Sequence, residues 1–369
     1  MNIAEIITET IGTVNKLSEK RGYNRYIKKY PLEKMFMFLL YQQFSGLEYG
    51  RSLTVCLNKT IGTTTDILSQ SELSKKLSYR LPVEPFKEVY EFLLSLTREQ
   101  KTKKIRKLMR MIRIIDSTAL PASLTMTYAK HRRNKNGFKM HTVIDKKYFP
   151  ECIRIKNGRS SDKKSLKWAV KEGYIHLFDR GYNDYSQFKW ISDQNAHFVT
   201  RALSNIQYRT IRNKKVGHVQ REYGILSDKH IEVVKDRKSD ERLCLRMVTF
   251  KFVDSRKQSR VFSLLTDLMD HRSEEIAQLY RERWNIEVVF RWLKTFLKFD
   301  HWLSRSKNGV LIQIYSALCA YFMALIVRMG NQHTFRIMKD VVYEFLKKFE
   351  VAMDFNRGSN IEEFFLESS

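Results

Sequence analysis

Four polar residues at fixed spacing mark one segment without Pro or Gly, residues 273–298. Its helical pattern opens at Ser273, which is suited to cap a helix N-terminus. At 100° per residue the four fall within roughly a 60° arc of one continuous helix, so we expect them to share a face. They are Tyr280, Arg283, Glu287 and Lys294. A carboxylate between two cations, beside a phenol, suits a site where the acid holds a metal ion and the cations hold phosphates. A solvated helix face with ordinary ion pairs would contain the same residue types.

Two acids upstream favour the metal-site interpretation, because each follows a short apolar run typical of a buried strand. Residues 111–115 end at Asp116, and residues 174–178 end at Asp179. Three converging carboxylates repel one another unless cations neutralise them, and hard oxygen ligands suit Mg²⁺ or Mn²⁺. Two such ions, about 4 Å apart, would activate a water or a 3′-hydroxyl and stabilise the leaving oxygen of a phosphodiester.

The elements that must bring Asp116, Asp179 and Glu287 together form an α/β pattern. Strands are predicted at residues 111–115, 139–145, 150–156, 174–178 and 197–202, with helices at 162–172 and from a cap at Asn183 or Asp184 to about residue 193. Three strands, helix, strand, helix, strand is the order of a ribonuclease-H-like domain, in which the first and fourth strands are neighbours. Asp116 and Asp179 would then lie together at the strand ends, where open α/β sheets bind ligands.

A β-rich insertion is expected between Asp179 and Glu287, because this stretch is too long for one simple crossover. Its strand candidates are residues 206–212, 218–223, 230–234, 243–253 and 260–265. Downstream, the apolar run at 310–327 is barely long enough to span a bilayer. We interpret it as a buried helix that packs on the 273–298 helix.

The predicted organisation therefore has five parts. They are an all-α DNA-binding or accessory domain at 1–104, the first part of the core at 105–203, the insertion at 204–268, the second part of the core at 269–330 and a helical tail at 331–369. In the first domain, basic and aromatic residues interleave over residues 21–30, including Tyr26, Lys28 and Lys29. Such a surface suits contact with the DNA backbone, and a solvated face of a packing domain is the equal alternative.

The composition points to a polyanionic partner. The 369 residues include 67 Lys and Arg against 40 Asp and Glu, for a formal charge of +27, far above what solubility requires. The four Cys are scattered without disulfide or zinc spacing, which fits a reducing cytoplasm. The N-terminal residues lack a basic region, so we expect no signal peptide and no membrane association.

At this point the sequence resembles a known family. Asp116 in IIDST, Asp179 in LFDRGY and the segment YRERWNIEVVFRWLK are similar to the DDE transposases of bacterial insertion sequences. More narrowly, the spacing of Tyr280, Arg283, Glu287 and Lys294 matches the group marked by Y-(2)-R-(3)-E-(6)-K. The resemblance covers roughly residues 105–330. It implies a ribonuclease-H-like core with a β insertion, and Asp116, Asp179 and Glu287 as catalytic ligands of two Mg²⁺ (or Mn²⁺) ions.

The resemblance also implies partners. Tyr280, Arg283 and Lys294, with Arg180 and Tyr182 of the DRGY segment, would bind DNA. The DNA would be the double-stranded terminal inverted repeats and the target, bound by a synaptic homodimer during cut-and-paste transposition, often through a hairpin intermediate. The protein would act at the nucleoid in a prokaryotic cytoplasm. The alternatives are a nuclease of the same fold that does not join strands, and a domesticated DNA-binding protein without catalysis.

The motifs do not assign a catalytic role to two further acidic residues. Asp267 follows Thr266 where many members carry Asn. Asp162 is a fourth acid near the sheet edge, and we interpret it as the N-cap of the predicted helix 162–172.

Overall fold

The computed structural model describes residues 1–25, 27, 30–45, 68–99, 111–132, 135–234, 242–253, 258–297, 302–330 and 338–355. Tyr26, Lys28 and Lys29, part of the predicted basic and aromatic surface, lie outside these residues. The chain forms two compact units. The helical unit comprises Met1–Lys101, Pro121–Gly137 and Arg291–Ser369, and the sheet unit comprises Thr102–Leu120 and Phe138–Phe290. This division differs from the predicted boundaries, since residues from Arg291 onwards group with the N-terminal helices.

The helices are α1 (Ile3–Arg21), α2 (Leu32–Ser45), α3 (Gln70–Lys75), α4 (Glu84–Glu99), α5 (Tyr185–Asp193), α6 (His218–Glu222), α7 (Ser273–Glu282), α8 (Asn285–Leu297), α9 (Lys307–Gly330) and α10 (Met338–Phe355). The strands are β1 (Ile112–Ala122), β2 (Lys130–Arg132), β3 (Lys135–Asp145), β4 (Pro150–Asn157), β5 (Ile175–Phe178), β6 (His197–Arg201), β7 (Tyr208–Lys214), β8 (Ile225–Val234), β9 (Arg242–Val253) and β10 (Ser259–Thr266). A π-helical turn, Lys76–Arg80, continues α3.

The helical unit is built around α9. This helix is long and apolar enough to cross a membrane, but 89% of its most apolar window is buried within the protein. It packs against α2 and α4, and its Tyr321 ring lies 4.6 Å from the Trp292 ring of α8. The prediction of a buried helix is confirmed, although the N-terminal helices, rather than α8 alone, provide its packing surface.

The sheet unit has parallel strands at its centre. The strand order runs β3-β1-β5-β6-β10-β9-β8-β7, with β4 on the other side of β3. Ile115 of β1 pairs with Phe178 of β5 in parallel register, so the predicted first and fourth strands are indeed neighbours. The strand that carries Asp116 does not end there, however, because β1 continues to Ala122.

The predicted insertion extends this same sheet. β10 pairs antiparallel with β6, where Thr266 lies opposite Val199, and β9, β8 and β7 follow in antiparallel order. The strand predicted at 218–223 is wrong, because these residues form α6. The Gln220 side chain accepts a hydrogen bond from the Gly217 amide there, which closes the first helical turn.

The helix predicted at 162–172 is also wrong, since only a short 3₁₀ turn forms at Lys163–Ser165. Competing partners take the groups that a helix would use. Arg113 donates to the Ala169 carbonyl at 2.6 Å, and the Lys171 amide donates to His176 Nε2 at 3.1 Å. The helix predicted after Asn183 or Asp184 is confirmed as α5, with Asp184 as its N-cap.

The segment predicted as one helix over 273–298 is broken into α7 and α8. The break consists of Arg283 and Trp284, whose amides bond three residues back to Tyr280 and Arg281. Because the helix is interrupted, the single wheel on which the four polar residues were placed is wrong. The cap also shifts by one residue, from Ser273 to Arg272.

Candidate active site

Asp116 and Asp179 follow directly after paired residues of two adjacent parallel strands. The last pair of that register is Ile115 with Phe178, which sets the two acids side by side at one position of the sheet. Each carboxylate accepts a 2.7 Å hydrogen bond from the next amide in the chain, that of Ser117 and that of Arg180. These bonds fix the carboxylates close to the backbone.

Arg283 joins the third acid to this pair. Its guanidinium donates at 3.4 Å to Asp116 Oδ2 and at 3.0 Å to Glu287 Oε1. The Arg283 side chain is only 8% exposed, whereas Glu287 is 45% exposed. The helix break therefore serves the site, because it turns Arg283 inward between two carboxylates.

The pKa of Asp116 reflects the burial of its carboxyl group and the charges around it. Burial raises it to about 6; the Ser117 amide and Arg283 oppose the shift, while Asp179 and Glu287 add to it. Asp179 and Glu287 are thus each close enough to Asp116 to act on its carboxylate electrostatically.

Two arginines, of which Arg246 is buried, hold α7, the helix that leads to Glu287, on the sheet. Arg246 forms a bidentate pair with Asp228 at 2.7 and 2.8 Å and donates to the Leu268 carbonyl at 3.0 Å, just before α7. At the other end of α7, the Arg281 guanidinium lies 5.3 Å from the Tyr223 ring centroid. Neither contact involves residues that the sequence analysis singled out.

The residues predicted to bind DNA lie in different environments. Tyr280 is buried, 5.7 Å from the Arg283 guanidinium, and burial raises its pKa to about 12. Tyr182 is 2% exposed, and its hydroxyl lies 3.4 Å from His141 Nδ1. Arg180 and Lys294 are exposed. The burial of both tyrosines favours a role in shaping the site over direct contact with DNA.

The contacts of a polar network next to Asp116 were not predicted from the sequence. The Asp162 carboxylate accepts a 2.9 Å hydrogen bond from Ser117 Oγ and forms an ion pair with Lys139 at 3.1 Å. Asp162 occupies the N-cap position of the 3₁₀ turn, but its side chain makes no capping hydrogen bond there. In the sequence, only its position close to a predicted sheet edge pointed to Asp162. Its partners could not be identified, because Lys139 and Ser117 lie on strands that are distant in sequence.

Asp267, the departure noted after Thr266, is a structural residue. Its carboxylate accepts hydrogen bonds from the Phe198 amide at 3.0 Å and from Ser192 Oγ at 2.9 Å. It also pairs with His197 Nδ1 at 3.0 Å. These bonds fasten the end of β10 to β6 and α5.

Comparison with known proteins agrees with this geometry. Residues 107–323 match the model of the transposase DDE domain, which is more than half of the chain. The chain belongs to the transposase DDE domain family.

The similarity of the transposase to its relatives covers more residues than the matched domain. It is 29% identical over 263 residues to a putative transposase, y4zB, of Sinorhizobium fredii (70% of this chain and 72% of the relative). It is 23% identical over 319 residues to a probable transposase for insertion sequence element IS5377 of Geobacillus stearothermophilus (84% and 80%). A putative transposase for insertion sequence element IS4SA of Synechocystis is 26% identical over 278 residues (71% and 72%). Family membership makes the chain a DNA-cleaving and strand-transferring enzyme that depends on divalent metal.

The donor set fits a hard divalent cation, since all three acids present carboxylate oxygens. In the described residues no three ligand-type side chains form a metal cluster, and Arg283 is bonded to both Asp116 and Glu287. Asp179 and Glu287 nevertheless both act electrostatically on Asp116, and a cation would relieve that repulsion.

Proposed function

We propose that the transposase cuts and joins DNA at the terminal inverted repeats of an insertion sequence by a cut-and-paste route. Asp116, Asp179 and Glu287 are the catalytic residues. The observation that supports this assignment most directly is the pairing of Ile115 with Phe178, which sets Asp116 beside Asp179. Arg283, bonded to both Asp116 and Glu287, supports the inclusion of the third acid.

The three carboxylates would hold two Mg²⁺ or Mn²⁺ ions. Bound there, the ions would supply an activated hydroxyl nucleophile and stabilise the leaving oxygen of the phosphodiester. The chain's own residues hold the site in place. The Ser117 and Arg180 amides fix the two Asp carboxylates, and Arg283 neutralises part of the charge of Asp116 and Glu287.

Further parts of the proposal rest on the resemblance. The spacing of Tyr280, Arg283, Glu287 and Lys294 supports membership of the Y-R-E-K group. The exposed Arg180 and Lys294 would hold DNA phosphates, and the buried Tyr280 and Tyr182 would support them from within. The partners are double-stranded DNA and a second copy of the chain in the synaptic complex, in a prokaryotic cytoplasm at the nucleoid.

A strand-transfer assay tests the proposal. The donor is a linear duplex that carries the DNA on both sides of the gene, the target is a supercoiled plasmid, and Mg²⁺ is present. The wild type should give cleaved and joined products, whereas Asp116→Asn, Asp179→Asn and Glu287→Gln should each lose at least ~10³-fold in rate while still binding the duplex. Asp193→Asn, at the end of α5, serves as the matched control.

The same assay separates the alternatives. Cleaved ends without joined product from the wild type would identify a nuclease. Binding without cleavage would identify a non-catalytic DNA-binding protein. Wild-type rates in Asp179→Asn would remove Asp179 from the catalytic set.

A further inference from the structure

Three segments of the helical unit present exposed cations and aromatic rings on one stretch of surface. They are the π-helical turn Lys76–Arg80, the loop at 123–128 and the segment at 302–308. Tyr79 is 67% exposed, Leu124 69% and Tyr128 38%. The side chains of Arg80, Arg305 and Lys307 are exposed beside them. We call this surface the Tyr79 face; its members are Tyr79, Arg80, Leu124, Tyr128, Arg305 and Lys307.

Hydrogen bonds join the turn to the segment at 302–308. Ser78 and Ser304 share a hydrogen bond between their hydroxyls at 2.9 Å. The Asn308 amide donates to the carbonyls of Leu77 and Leu81, at 2.9 and 2.7 Å. A Cβ at Gly309 would lie 3.2 Å from the Leu77 carbonyl oxygen, so the turn and the start of α9 approach closely at this glycine. Tyr79 and Arg305 each directly follow one of the bonded serines in the chain.

The loop at 123–128 is held just as firmly. Asn136 donates to the carbonyls of Ser123, Leu124 and Met126 at 2.9 to 3.2 Å. The Tyr128 hydroxyl donates to the Arg305 carbonyl at 2.8 Å, which ties the loop to the segment at 302–308. The exposed side chains of the Tyr79 face are thus mounted on a backbone that is already ordered.

The charge of this surface is of one sign. Within the described residues, Arg80, Arg305 and Lys307 take part in none of the ion pairs with acids. The nearest acid along α3, Glu72, is engaged by the Ser69 amide at 3.0 Å in a helix cap. Burial lowers the pKa of Lys76, and the positive charge of Arg80 lowers it further. Three exposed cations with no ion pair to the described acids favour an anionic partner.

We propose that the Tyr79 face binds the phosphate backbone of duplex DNA, with the Tyr79 ring against the sugars. Cations at fixed positions supply the contacts that set DNA register without sequence preference, and a pre-ordered backbone lowers the entropy lost on binding. The proposal rests on the proposed function, because it gives the transposase a second DNA contact outside its acids.

The test compares two double variants of the full-length protein, each of which removes two positive charges from the helical unit. Arg80→Gln/Arg305→Gln alters the face, and Lys16→Gln/Lys20→Gln alters exposed lysines of α1 as the matched control. Binding to a 30-base-pair duplex is measured between 50 and 300 mM salt. For the face variant we expect Kd to rise about 10-fold at 100 mM salt, and the slope of log K against log salt to fall by roughly 1.8, from about 0.9 per phosphate contact. Arg80→Lys/Arg305→Lys should restore the slope.

Several outcomes decide the matter. A face variant that binds with the Kd and slope of the control variant overturns the proposal. If the double variant melts earlier than the wild type, Tyr79→Ser alone, expected to weaken binding about 3-fold, carries the test, and an unchanged Kd overturns it. A wild type that binds the duplex through this face yet never cleaves would instead refute the proposed function and leave the face intact.

Discussion

Arg283 Nη2 donates a 3.0 Å hydrogen bond to Glu287 Oε1 from the break between α7 and α8. The same guanidinium reaches Asp116 at 3.4 Å, so one cation offsets repulsion between two carboxylates. In Arg283→Ala that repulsion is unrelieved. We expect the free energy of unfolding to fall by about 2 kcal/mol in EDTA, less than for a fully buried pair because Glu287 is half exposed.

Divalent cation should compensate for the missing guanidinium. Mg²⁺ at 10 mM should raise the Tm of Arg283→Ala more than it raises the Tm of the wild type, because the variant has more negative charge to neutralise. Arg272→Ala, which removes an exposed arginine paired with Glu275, is the control and should show no such difference. An equal Mg²⁺ shift in the Arg283 variant and the wild type would contradict this account.

Much of this site could be predicted from sequence, and the part that could not has a physical cause. Asp116 and Asp179 follow apolar runs whose parallel pairing the strand order already implied. Arg283 was identified, but as a member of an unbroken helix face. No Pro or Gly marks the break, which forms because tertiary contacts of Arg283 with the acids outweigh local helix propensity. Asp162 was likewise given a local role, since its real partners are distant in sequence.

Asp116 should lower the stability of the fold in the absence of metal. Its pKa, 3.8 in a model peptide, is raised to about 6, so the folded state binds more protons than the unfolded state between these values. Stability contributed by this group is therefore lost as pH rises from about 4 to about 6. In EDTA at pH 8, Asp116→Asn should be more stable than the wild type by roughly 1–3 kcal/mol, although we expect it to lose cleavage.

Urea unfolding at pH 4 and pH 8 checks this prediction. The advantage of Asp116→Asn should shrink at pH 4, where the wild-type group is protonated. A variant that is less stable than the wild type by the same amount at both pH values would show that the Asp116 carboxylate stabilises the fold instead.

Asp162 should act as a positioning residue for Asp116. It holds Ser117, the next residue in the chain, and the half-buried Lys139. Asp162→Asn leaves an acceptor but removes the charge opposite Lys139, so we expect the maximal cleavage rate to fall about 10-fold with little change in DNA affinity. Asp184→Ala removes only the cap of α5 and should lose about 1 kcal/mol of stability without a loss in cleavage.

Single-turnover cleavage across a DNA titration distinguishes these effects. If Asp162→Asn and Asp184→Ala lose stability to the same extent and both keep the wild-type cleavage rate, Asp162 has no positioning role. An unchanged rate in Ser117→Ala, which removes the other end of the hydrogen bond, would point the same way.

The pair of His197 and Asp267 should give the fold a second pH dependence. The hydrogen bond that His197 donates to the Asp267 carboxylate raises the pKa of His197 above 6.5 and outweighs the effect of its burial. Stability from the charged pair is therefore fully present below pH 6.5 and is lost as pH rises through the higher folded pKa. His197→Gln should be less stable than the wild type at pH 5.5, with a smaller difference at pH 8.5, by thermal unfolding. A difference that grows with pH would contradict the assigned charge.

Substitution of Lys294, on the helix that carries Glu287, should separate an effect on DNA binding from an effect on catalysis. The two residues are two turns apart on α8, roughly 10 Å at 1.5 Å per residue, which is too far for an intrahelical ion pair. The Lys294 side chain is exposed, so its removal should leave the Tm within about 1 °C, as is usual for exposed positions. If Lys294 holds a phosphate near the cleaved bond, Lys294→Gln should raise the DNA concentration for half-maximal cleavage about 10-fold, with partial recovery of the rate at saturation.

Two further variants serve as controls. Lys347→Gln, which alters an exposed lysine of α10, should change neither quantity. Lys294→Arg should behave like the wild type, because the arginine cation can reach the same phosphate. Identical DNA titrations for the Lys294→Gln and Lys347→Gln variants would show that the match of Lys294 to the Y-R-E-K spacing carries no function in this chain.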